Sequence, residues 1–573
     1  MSAGKPRRAD AARRPGSTFG RRLAAAHEAH GTRPAGRRWI FVPYDQVSSA
    51  IGPLSREPAR ELGIVLVESA DKAGRRPYHR RKLALVLANL RHFALEQAGR
   101  GVAVRHVATA GGYADGLRDV FAETGPLRVM RPAERELRHE LAPLVADGSL
   151  VEIPHEGWLT TPAQFAAAGG PPWRMDAFYR VVRRETGILM ERGKPVGGRF
   201  SFDVENRKPW RGDPPAPTPP TFPCDDVKEE VRDLVERRFA SHPGRLDLAR
   251  LPATAADAEA QWDWAKRECL PWFGPFEDAM SRDEPALFHA GISPLLNLHR
   301  LLPSRVVADA VALDLPIASQ EGFVRQVLGW REFVRHVHEA TDGFRAVPGL
   351  PPAPDGDPRF LGADEPLPRA FWEGARSGLA CLDGVVEAVW RDGHSHHITR
   401  LMVLSNLATL LGVSARELAD WFWVAYDDAF DWVVEPNVIG MGTFAAGDAM
   451  TTKPYVSGSA YLHRMGDWCG ACAFDPARDC PVTPLYWAFL ARNADTLRGN
   501  QRLRMPLTSL ARRAAPDRRR DEAVRQSLLA ALREGLPFAP DAPRGDGGEG
   551  TGGARAERTR PTKRGTRPTK RDR

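Results

Sequence analysis

The sequence predicts an α/β domain of Rossmann-like type at the N-terminus, followed by a large all-α domain. Short apolar runs of strand length alternate with helical patterns in residues 39–155. A proline-rich stretch at residues 211–225 interrupts this pattern, and helical signals dominate residues 226–537. Alternation of this kind is typical of a parallel sheet covered by helices. We therefore expect an α/β domain at 39–155, a connection at 156–225 and a helical domain at 226–537.

Four apolar runs in the first domain have the length and composition of strands. They are Trp39–Val42, Gly63–Val67, Val102–Val107 and the weaker Val151–Ile153. Between Arg80 and Ala98 the leucines recur on one face, which predicts a helix. No G-x-G-x-x-G follows any of these strands, so the nicotinamide-binding fingerprint is absent.

The second domain contains few alternating β-branched runs. Helical patterns cover Asp226–Ala240, Ala255–Cys269, Ser319–Thr341 and Ile398–Leu411. The preceding RGDPPAPTPPTFPCD cannot continue a helix or an inner strand, because proline lacks the backbone N–H. We interpret it as a linker over the surface.

Charge is concentrated at the two ends of this chain of 573 residues. Residues 1–38 carry +8 and residues 538–573 carry +5 of the net +9, which leaves −4 for the body. We expect two disordered basic tails that add salt-sensitive affinity for DNA. No apolar run approaches the roughly 18 residues of a membrane span, and the N-terminus lacks the pattern of a secretory signal. The cytoplasm is therefore the expected compartment.

Three of the six cysteines follow the pattern C-x₂-C-x₇-C. They are Cys469, Cys472 and Cys480, and Cys381 is a candidate fourth ligand 88 residues upstream. Four thiolates suit either zinc or an iron–sulfur cluster, and unligated cysteines are the third interpretation. Pro481, directly after Cys480, resembles the end of a ferredoxin-type run.

The segment GHSHHITRLMVLSNLATLL combines a buried helical face with histidines at its start. Leucines recur at helical spacing, and His396, His397 and Arg400 lie in the first turn. Adjacent histidines are more often helix-end or surface groups than catalysts. At the mouth of an apolar pocket, however, an imidazole can supply or hold a proton near neutral pH.

The segment Trp421–Tyr461 is rich in aromatic residues, most of which we expect to pack in the core. Its stretch PNVIGMG cannot be a regular helix throughout. A polar, glycine-containing loop inside an aromatic helical domain suits a planar ligand.

These residues resemble the flavin-binding region of the photolyase and cryptochrome superfamily. Asp431 and Asn437 resemble the family's pair beneath the flavin ring, where the aspartate would pair with Arg400. HITR places His397 and Arg400 at positions that face the flavin in the family. FHAGISPLLNL, with Ser293, resembles the helix start that holds the FAD phosphates, and GWREF, with Arg331, resembles a further flavin motif.

Other segments resemble the bacterial iron–sulfur branch of this superfamily. They are DQ at 45–46, LVES at 66–69, PYHRRK at 77–82 and GGRFSFDVENRK at 197–208, and the resemblance extends from about Trp39 to about Leu510. It implies a photolyase fold with FAD in the helical domain and a 6,7-dimethyl-8-ribityllumazine antenna in the α/β domain. It also implies that Cys381, Cys469, Cys472 and Cys480 hold a [4Fe-4S] cluster.

The function that this resemblance implies is light-driven repair of UV-damaged DNA, with (6-4) photoproducts as the expected lesion. His397, with His396 as a second candidate, would protonate the lesion. The residue four positions after His397 is Leu401, where animal-type enzymes have a second histidine. Phe422 replaces a tyrosine found in the branch, so Trp421 and Trp423 are the candidates for electron transfer.

Two other functions stay open at this point. One is a cryptochrome-like photoreceptor that signals through the flavin redox state without repair. The other is a zinc-stabilised helical DNA-binding protein that holds no flavin. We also expect a monomer without membrane contact, associated with the nucleoid.

Overall fold

A five-stranded parallel sheet forms the first part of the molecule. The computed structural model describes residues 16–351 and 356–539. The strands are β1 (Arg38–Phe41), β2 (Leu62–Ser69), β3 (Ala103–Thr109), β4 (Leu127–Met130) and β5 (Leu150–Ile153). They lie in the order β3-β2-β1-β4-β5, and every neighbouring pair is parallel. Four of the five strands match the predicted runs, and β4 is the one that the sequence pattern missed.

The strand order reverses between β1 and β4. The connection after β1 leads to β2 on one side, whereas β4 lies on the other side of β1. In open parallel sheets a crevice forms at this point, outside the carboxyl ends of the strands. Tyr44 and Asp45 follow β1 there, and Glu134 follows β4.

Helices cover this sheet and fill the connection after it. The α-helices before residue 226 are Thr18–Ala29, Pro53–Arg56, Ala70–Gly74, Arg80–Gly99, Tyr113–Arg118, Phe121–Thr124, Arg135–Ala146, Pro162–Ala167 and Met175–Thr186. Short 3₁₀ turns cover Ala59–Glu61, Val196–Gly198 and Asp203–Glu205, and Met190–Glu191 pairs with Lys194–Pro195 as a small hairpin. The predicted helix from Arg80 is confirmed.

The prediction of a disordered N-terminal tail over residues 1–38 is wrong for its second half. Thr18–Ala29 is an α-helix that packs against Arg80–Gly99 and Asp226–Arg238. Phe19 is only 4% exposed, and the backbone N–H of Val104 donates to Nε2 of His27 over 3.1 Å. Because β3 is the edge strand, this helix covers an otherwise unpaired sheet edge. Residues 1–15 lie outside the described part of the chain.

The predicted C-terminal tail begins within the folded body. Phe538 stacks on Phe474, with the ring centroids 5.8 Å apart, and its N–H donates to the carbonyl of Ser377. Residues 540–573 lie outside the described residues, so the prediction for them stays open.

From residue 226 onward the described chain is helical, as predicted. The α-helices are Asp226–Arg238, Ala255–Trp264, Leu270–Phe276, Ser293–Asn297, Pro303–Ala312, Ile317–Val324, Glu332–Ala340, Ala380–Asp392, His397–Thr399, Asn406–Leu411, Ala415–Ala425, Asp431–Glu435, Ser459–Met465, Val482–Arg492, Arg504–Arg512 and Ala515–Glu534. Short 3₁₀ turns cover Leu248–Arg250, Arg369–Phe371, Trp468–Ala471 and Gln501–Leu503. Within the described ranges, no helix is both long and apolar enough to cross a membrane.

Four segments of this helical region are wound as π-helix. They are Ala265–Cys269, Arg325–Arg331, Arg400–Ser405 and Pro436–Gly442. The last is PNVIGMG, which the sequence predicted to depart from a regular helix. A π turn widens the helix and is frequent at functional sites.

Candidate flavin site, histidine pocket and cysteine cluster

Three of the predicted flavin-binding residues lie in π-helical segments. Arg331, Arg400 and Asn437 belong to three different segments of this kind. The backbone of such a turn leaves the regular hydrogen-bond ladder, so its side chains point where a regular α-helix would not send them. The local winding therefore helps to place these three side chains.

Asp428 contacts two of the predicted flavin-binding residues, Arg400 and Ser293. NH1 and NH2 of Arg400 donate to its two carboxylate oxygens over 2.9 and 3.0 Å. The hydroxyl of Ser293 donates to the same carboxylate over 2.6 Å, and the amide of Asn297 donates to the Asp428 carbonyl over 2.8 Å. Burial alone would raise the pKa of Asp428, but Arg400 beside it lowers that pKa to about 2. The pair is therefore ionised at neutral pH.

The predicted ion pair between Arg400 and Asp431 does not form. The carboxylate of Asp431 instead accepts from the backbone N–H groups of Arg135 and Glu136, over 2.7 and 3.2 Å. These groups begin the helix Arg135–Ala146, and a carboxylate is stabilised at a helix N-terminus. Asp431 thus joins the helical region to the α/β region. In the run DDAFD the family motif pointed to Asp431, whereas the aspartate that pairs with Arg400 is Asp428.

Arg331 lies beside the same cluster and is buried between indole rings. Its guanidinium group lies 4.4 Å from the ring centre of Trp158 and 5.2 Å from that of Trp432. It donates to the carbonyl of Leu296 over 3.1 Å and to the side chain of Asn297 over 3.4 Å. Burial lowers the pKa of Arg331 to about 10. The structure therefore brings Ser293, Arg331 and Arg400 together through Asn297 and Asp428.

Asn437 lies on a neighbouring turn and makes a local contact. Its amide donates to the carbonyl of Val433 over 2.7 Å, within its own helix. The π-helical segments of Asn437 and Arg400 pack against each other.

The two predicted catalytic histidines differ in their surroundings. His396 is 3% exposed, its two ring nitrogens have no hydrogen-bond partner, and it stacks on His289 with the ring centroids 4.3 Å apart. The side chain of His397 is 43% exposed, and its Nε2 lies 3.9 Å from Oε1 of Glu277. Desolvation, then the charges of Arg400 and Arg325, lower the pKa of His397 to about 4. His397 is thus the accessible histidine and His396 the interior one.

Three tryptophans form a row from the buried core towards the surface. Trp421 is buried, and its ring centroid lies 6.0 Å from that of Trp390. Trp390 stacks on the half-buried Trp372 at 5.8 Å. At the inner end Trp421 lies 6.1 Å from Tyr426, and the guanidinium of Arg400 lies 4.0 Å from the Tyr426 ring. Sequence reasoning missed Trp372 and Trp390, although both are tryptophans in the helical region.

Trp423 does not continue this row. The guanidinium of Arg76 lies 4.2 Å from its ring and the ammonium of Lys72 lies 5.3 Å from it. Of the two predicted electron-transfer candidates, Trp421 therefore belongs to the row and Trp423 does not, because residues two positions apart on a helix point in directions about 200° apart.

Trp423 instead lines a crevice at the carboxyl ends of the strands. The crevice is bounded by side chains from both parts of the molecule, namely Tyr44, Glu68, Ser69, Lys72, Tyr78, Lys82, Glu134, Trp423 and Phe430. The Tyr44 hydroxyl and Oε2 of Glu134 are buried without a hydrogen-bond partner. Burial, reinforced by neighbouring carboxylates, raises the pKa of Glu134 well above its ordinary value. The crevice therefore offers unused polar atoms to a ligand.

The four predicted metal-binding cysteines converge. Cys381 begins the helix Ala380–Asp392, Cys469 and Cys472 lie in and after a 3₁₀ turn, and Cys480 precedes the helix Val482–Arg492. Burial raises the pKa of the Cys381 thiol, and the nearby Cys480, Cys472 and Cys469 raise it further. None of the four forms a disulfide. Among the described residues, no three of these sulfurs lie within 4.8 Å of one another.

A second group of potential metal ligands lies beside Asp428. Donor atoms of His394, Asp427 and Asp428 lie within 4.8 Å of one another. However, Arg81 donates to Asp427 over 2.8 Å, and Arg400 forms an ion pair with Asp428. Two guanidinium groups already neutralise the two carboxylates, so this group is an ion-pair network rather than a cation site.

Comparison with known proteins identifies the family. Residues 40–250 match the family described as deoxyribodipyrimidine photo-lyase-related protein. The chain is 35% identical over 517 residues to a (6-4) photolyase of Agrobacterium fabrum, an alignment that covers 86% of this chain and 99% of that relative. It is 29% identical over 102 residues to an uncharacterized protein of Acanthamoeba polyphaga mimivirus, which covers 18% of this chain and 80% of that protein.

Among solved structures, the fold is similar to a bacterial class III photolyase from Agrobacterium tumefaciens. The TM-score is 0.50 at 16% identity, and the match covers 87% of this chain and 98% of that one. The predicted fold class is thereby confirmed. The chain belongs to the photolyase and cryptochrome superfamily, among the deoxyribodipyrimidine photo-lyase-related proteins.

Proposed function

We propose that this protein is a light-driven DNA photolyase that splits UV-induced pyrimidine lesions, with (6-4) photoproducts as the main substrate. The observation that carries the proposal is the position of His397, an accessible imidazole three residues before the buried Arg400–Asp428 pair. The relative that shares 35% of its residues is named a (6-4) photolyase. The photoreceptor alternative is not favoured by these comparisons.

The residues around Asp428 fit FAD as the resident cofactor. His396 has two buried ring nitrogens without a partner, and the Nε1–H of Trp432 is also buried without one. Such groups are costly unless a ligand completes their hydrogen bonds. We assign Ser293 and Arg331 to the phosphates, and Arg400 with Asn437 to the flavin ring. Asp431 would have only an indirect role, since it accepts from the backbone N–H groups of Arg135 and Glu136. Reduced FAD, when bound, supplies an electron after it absorbs blue light.

The chain's own residues then position the lesion and handle protons. Asp428 and Tyr426 raise the pKa of Arg400 against the effect of burial, so Arg400 stays charged. His397 faces the accessible side and can donate to an extruded base. A damaged dinucleotide pairs poorly, so its extrusion costs only a few kcal/mol.

Basic side chains near the histidine pocket fit the DNA backbone. Exposed Arg207 follows Asn206, which hydrogen-bonds Glu277 next to His397. Lys453 lies close enough to Arg502 and to Arg207 that both guanidinium groups, after desolvation, lower its pKa. A positive rim of this kind binds phosphates with strong salt dependence.

We assign the crevice around Trp423 to a 6,7-dimethyl-8-ribityllumazine antenna. The support is its place at the topological switch point and the unpartnered Tyr44 hydroxyl and Glu134 oxygen. A polar ring ligand would complete both groups.

The four cysteines, we infer, hold a [4Fe-4S] cluster rather than zinc. Tetrahedral zinc with Zn–S bonds of about 2.3 Å would require sulfurs about 3.8 Å apart. In the part of the chain that the structure describes, no three of these sulfurs lie even within 4.8 Å of one another, so the four do not form a tetrahedral zinc site as they stand. A larger cluster accommodates the wider spacing. Cytoplasmic, nucleoid-associated monomers remain our prediction for the cellular form.

Asp428→Asn is expected to lower flavin occupancy of the purified protein, because buried Arg400 loses its charged partner. Removing one partner of a buried ion pair typically costs about 3–5 kcal/mol. Asp431→Asn is the matched variant and should retain more flavin, since Asp431 contacts backbone N–H groups instead. The ratio of flavin to protein absorbance measures both. Equal flavin loss in the two variants would contradict the assignment of Asp428.

Trp390→Phe is expected to slow photoreduction of the bound flavin several-fold, because it interrupts the row from Trp421 to Trp372. The rate is measured by absorbance under blue light with an external reductant. Trp264→Phe is the control, a buried tryptophan outside this row. A normal rate in Trp390→Phe together with a slow rate in Trp423→Phe would restore the route first expected from the sequence.

A further inference from the structure

Glu277 has a buried carboxyl group close to the proposed catalytic histidine. It is 3% exposed, and its Oε1 lies 3.9 Å from Nε2 of His397. Asn206 donates to Oε2, and Gln326 donates to Oε1 over 2.5 Å. These donors fix the carboxyl group on the side of His397 that faces the protein.

The charges around Glu277 are not balanced. Arg325 lies 3.3–3.4 Å from three carboxyl groups, those of Glu277, Glu321 and Asp203. Arg207 pairs with Asp203 and lies 3.8 Å from Asp278. Among the described residues of this network, two guanidinium groups thus serve four carboxyl groups. A surplus of negative charge around the buried carboxyl groups of Glu277 and Glu321 favours protonation of one of these acids.

Glu277 is the acid of this network that lies beside His397, and its surroundings favour the protonated form. Burial, together with Asp278 and Asp203, raises the pKa of Glu277 to about 7 against the effect of Arg325. Desolvation and neighbouring guanidinium groups lower the pKa of His397. Of the two groups, the carboxyl group of Glu277 therefore binds a proton more readily than the imidazole of His397.

We propose that Glu277 is the proton reservoir for His397, so that the two residues form a relay from the buried carboxyl group to the lesion. This inference rests on the proposed repair function. When negative charge develops on the lesion, the Nδ1–H bond of His397 would break and that proton would pass to a heteroatom of the lesion. The O–H bond of Glu277 breaks and an N–H bond forms at Nε2. When the electron returns, both transfers reverse.

The separation of 3.9 Å is longer than a hydrogen bond. Catalytic contacts are often loose before substrate binds, and a single water can bridge such a gap. The relay predicts a specific pH dependence, because only protonated Glu277 can supply the proton. Repair by the wild type should fall as the pH rises through about 7.

The test is the repair yield per absorbed photon on a (6-4) oligonucleotide between about pH 5.5 and 9, with Glu277→Gln as the main variant. A glutamine keeps the size but cannot give up a proton to His397. We expect a yield about 10²-fold below the wild type, at the lower end of general-acid effects, without the fall near neutral pH. Glu277→Asp keeps a titrating carboxyl group and should restore the fall with part of the yield.

Glu321→Gln is the matched control, because Glu321 shares Arg325 but does not contact His397. It should keep both the repair yield at low pH and a fall as the pH rises, with the fall moved to lower pH because Arg325 then serves one carboxyl group fewer. The relay is wrong if Glu277→Gln repairs like the wild type at every pH. It is also wrong if both Glu277 variants lose flavin or DNA binding, which would make the residue a structural support. A wild type that repairs no lesion would overturn the proposed function itself.

Discussion

Replacing His397 by alanine is expected to reduce repair of (6-4) photoproducts by about 10²–10⁴-fold, the range for loss of a positioned proton donor. The expectation rests on position, since His397 is the more exposed of the two predicted histidines and lies close enough to Arg400 for that charge, after desolvation, to lower its pKa. Flavin content and photoreduction should survive, because the row of tryptophans reaches the site from Trp421.

His396→Ala is the informative companion variant. His396 is buried against His289 and offers two unpartnered nitrogens to the interior. Its loss should lower flavin retention rather than the repair yield of the protein that still holds flavin. Repair is measured by chromatography of a lesion-containing oligonucleotide after blue light, with flavin quantified in the same samples. A wild-type yield in His397→Ala would remove the catalytic assignment.

The order of strands and helices could be predicted because it depends on local pattern. Alternating apolar runs gave four strands of the sheet, and the helix at Arg80 follows from its leucine spacing. β4 (LRVM) was not identified from the sequence, although it is as long as β1 and β5. The helix Thr18–Ala29 escaped because basic composition was taken as disorder, although Phe19, Leu23 and Ala26 recur at helical spacing.

The residues of the candidate site were predicted better than the contacts between them. Motifs gave Ser293, Arg331 and Arg400, which the structure brings together. Which of the two aspartates pairs with Arg400 depends on a distant contact. The backbone N–H of Arg135, almost 300 residues away, donates to Asp431, so Asp428 is the aspartate that pairs with Arg400. Similarly, the position of Trp390 beside Trp421 is a tertiary contact. Neither of these two tertiary contacts can be predicted from the local sequence.

For the histidines, too, the position in the chain could be predicted from the sequence, whereas the surroundings could not. Their place at the start of a helix follows from the pattern around them, and the structure adds the difference in exposure between His396 and His397. Glu277, 120 residues before His397, has no motif that links it to the histidine. Its role becomes visible only through the shared network of Arg325.

Cys381→Ala is expected to abolish assembly of the iron–sulfur cluster and most of the soluble yield. The four cysteines come from segments 88–99 residues apart in sequence, and a shared centre would tie the helix Ala380–Asp392 to the loop before Val482–Arg492. Metal binding of this kind contributes directly to folding, because the site does not exist in the unfolded chain. Iron in the wild type should be roughly four atoms per chain, and near zero in the variant.

Cys224→Ala is the matched control, since this exposed thiol lies outside the cluster and should leave yield and iron unchanged. Iron and zinc are measured by elemental analysis of the soluble fraction, with acid-labile sulfide as the second readout. Stoichiometric zinc without sulfide in the wild type would contradict the cluster and restore the zinc interpretation. A soluble Cys381→Ala protein with full iron would show that Cys381 is not a ligand. Both measurements bear on the same observation, the buried Cys381 thiol beside Cys469, Cys472 and Cys480.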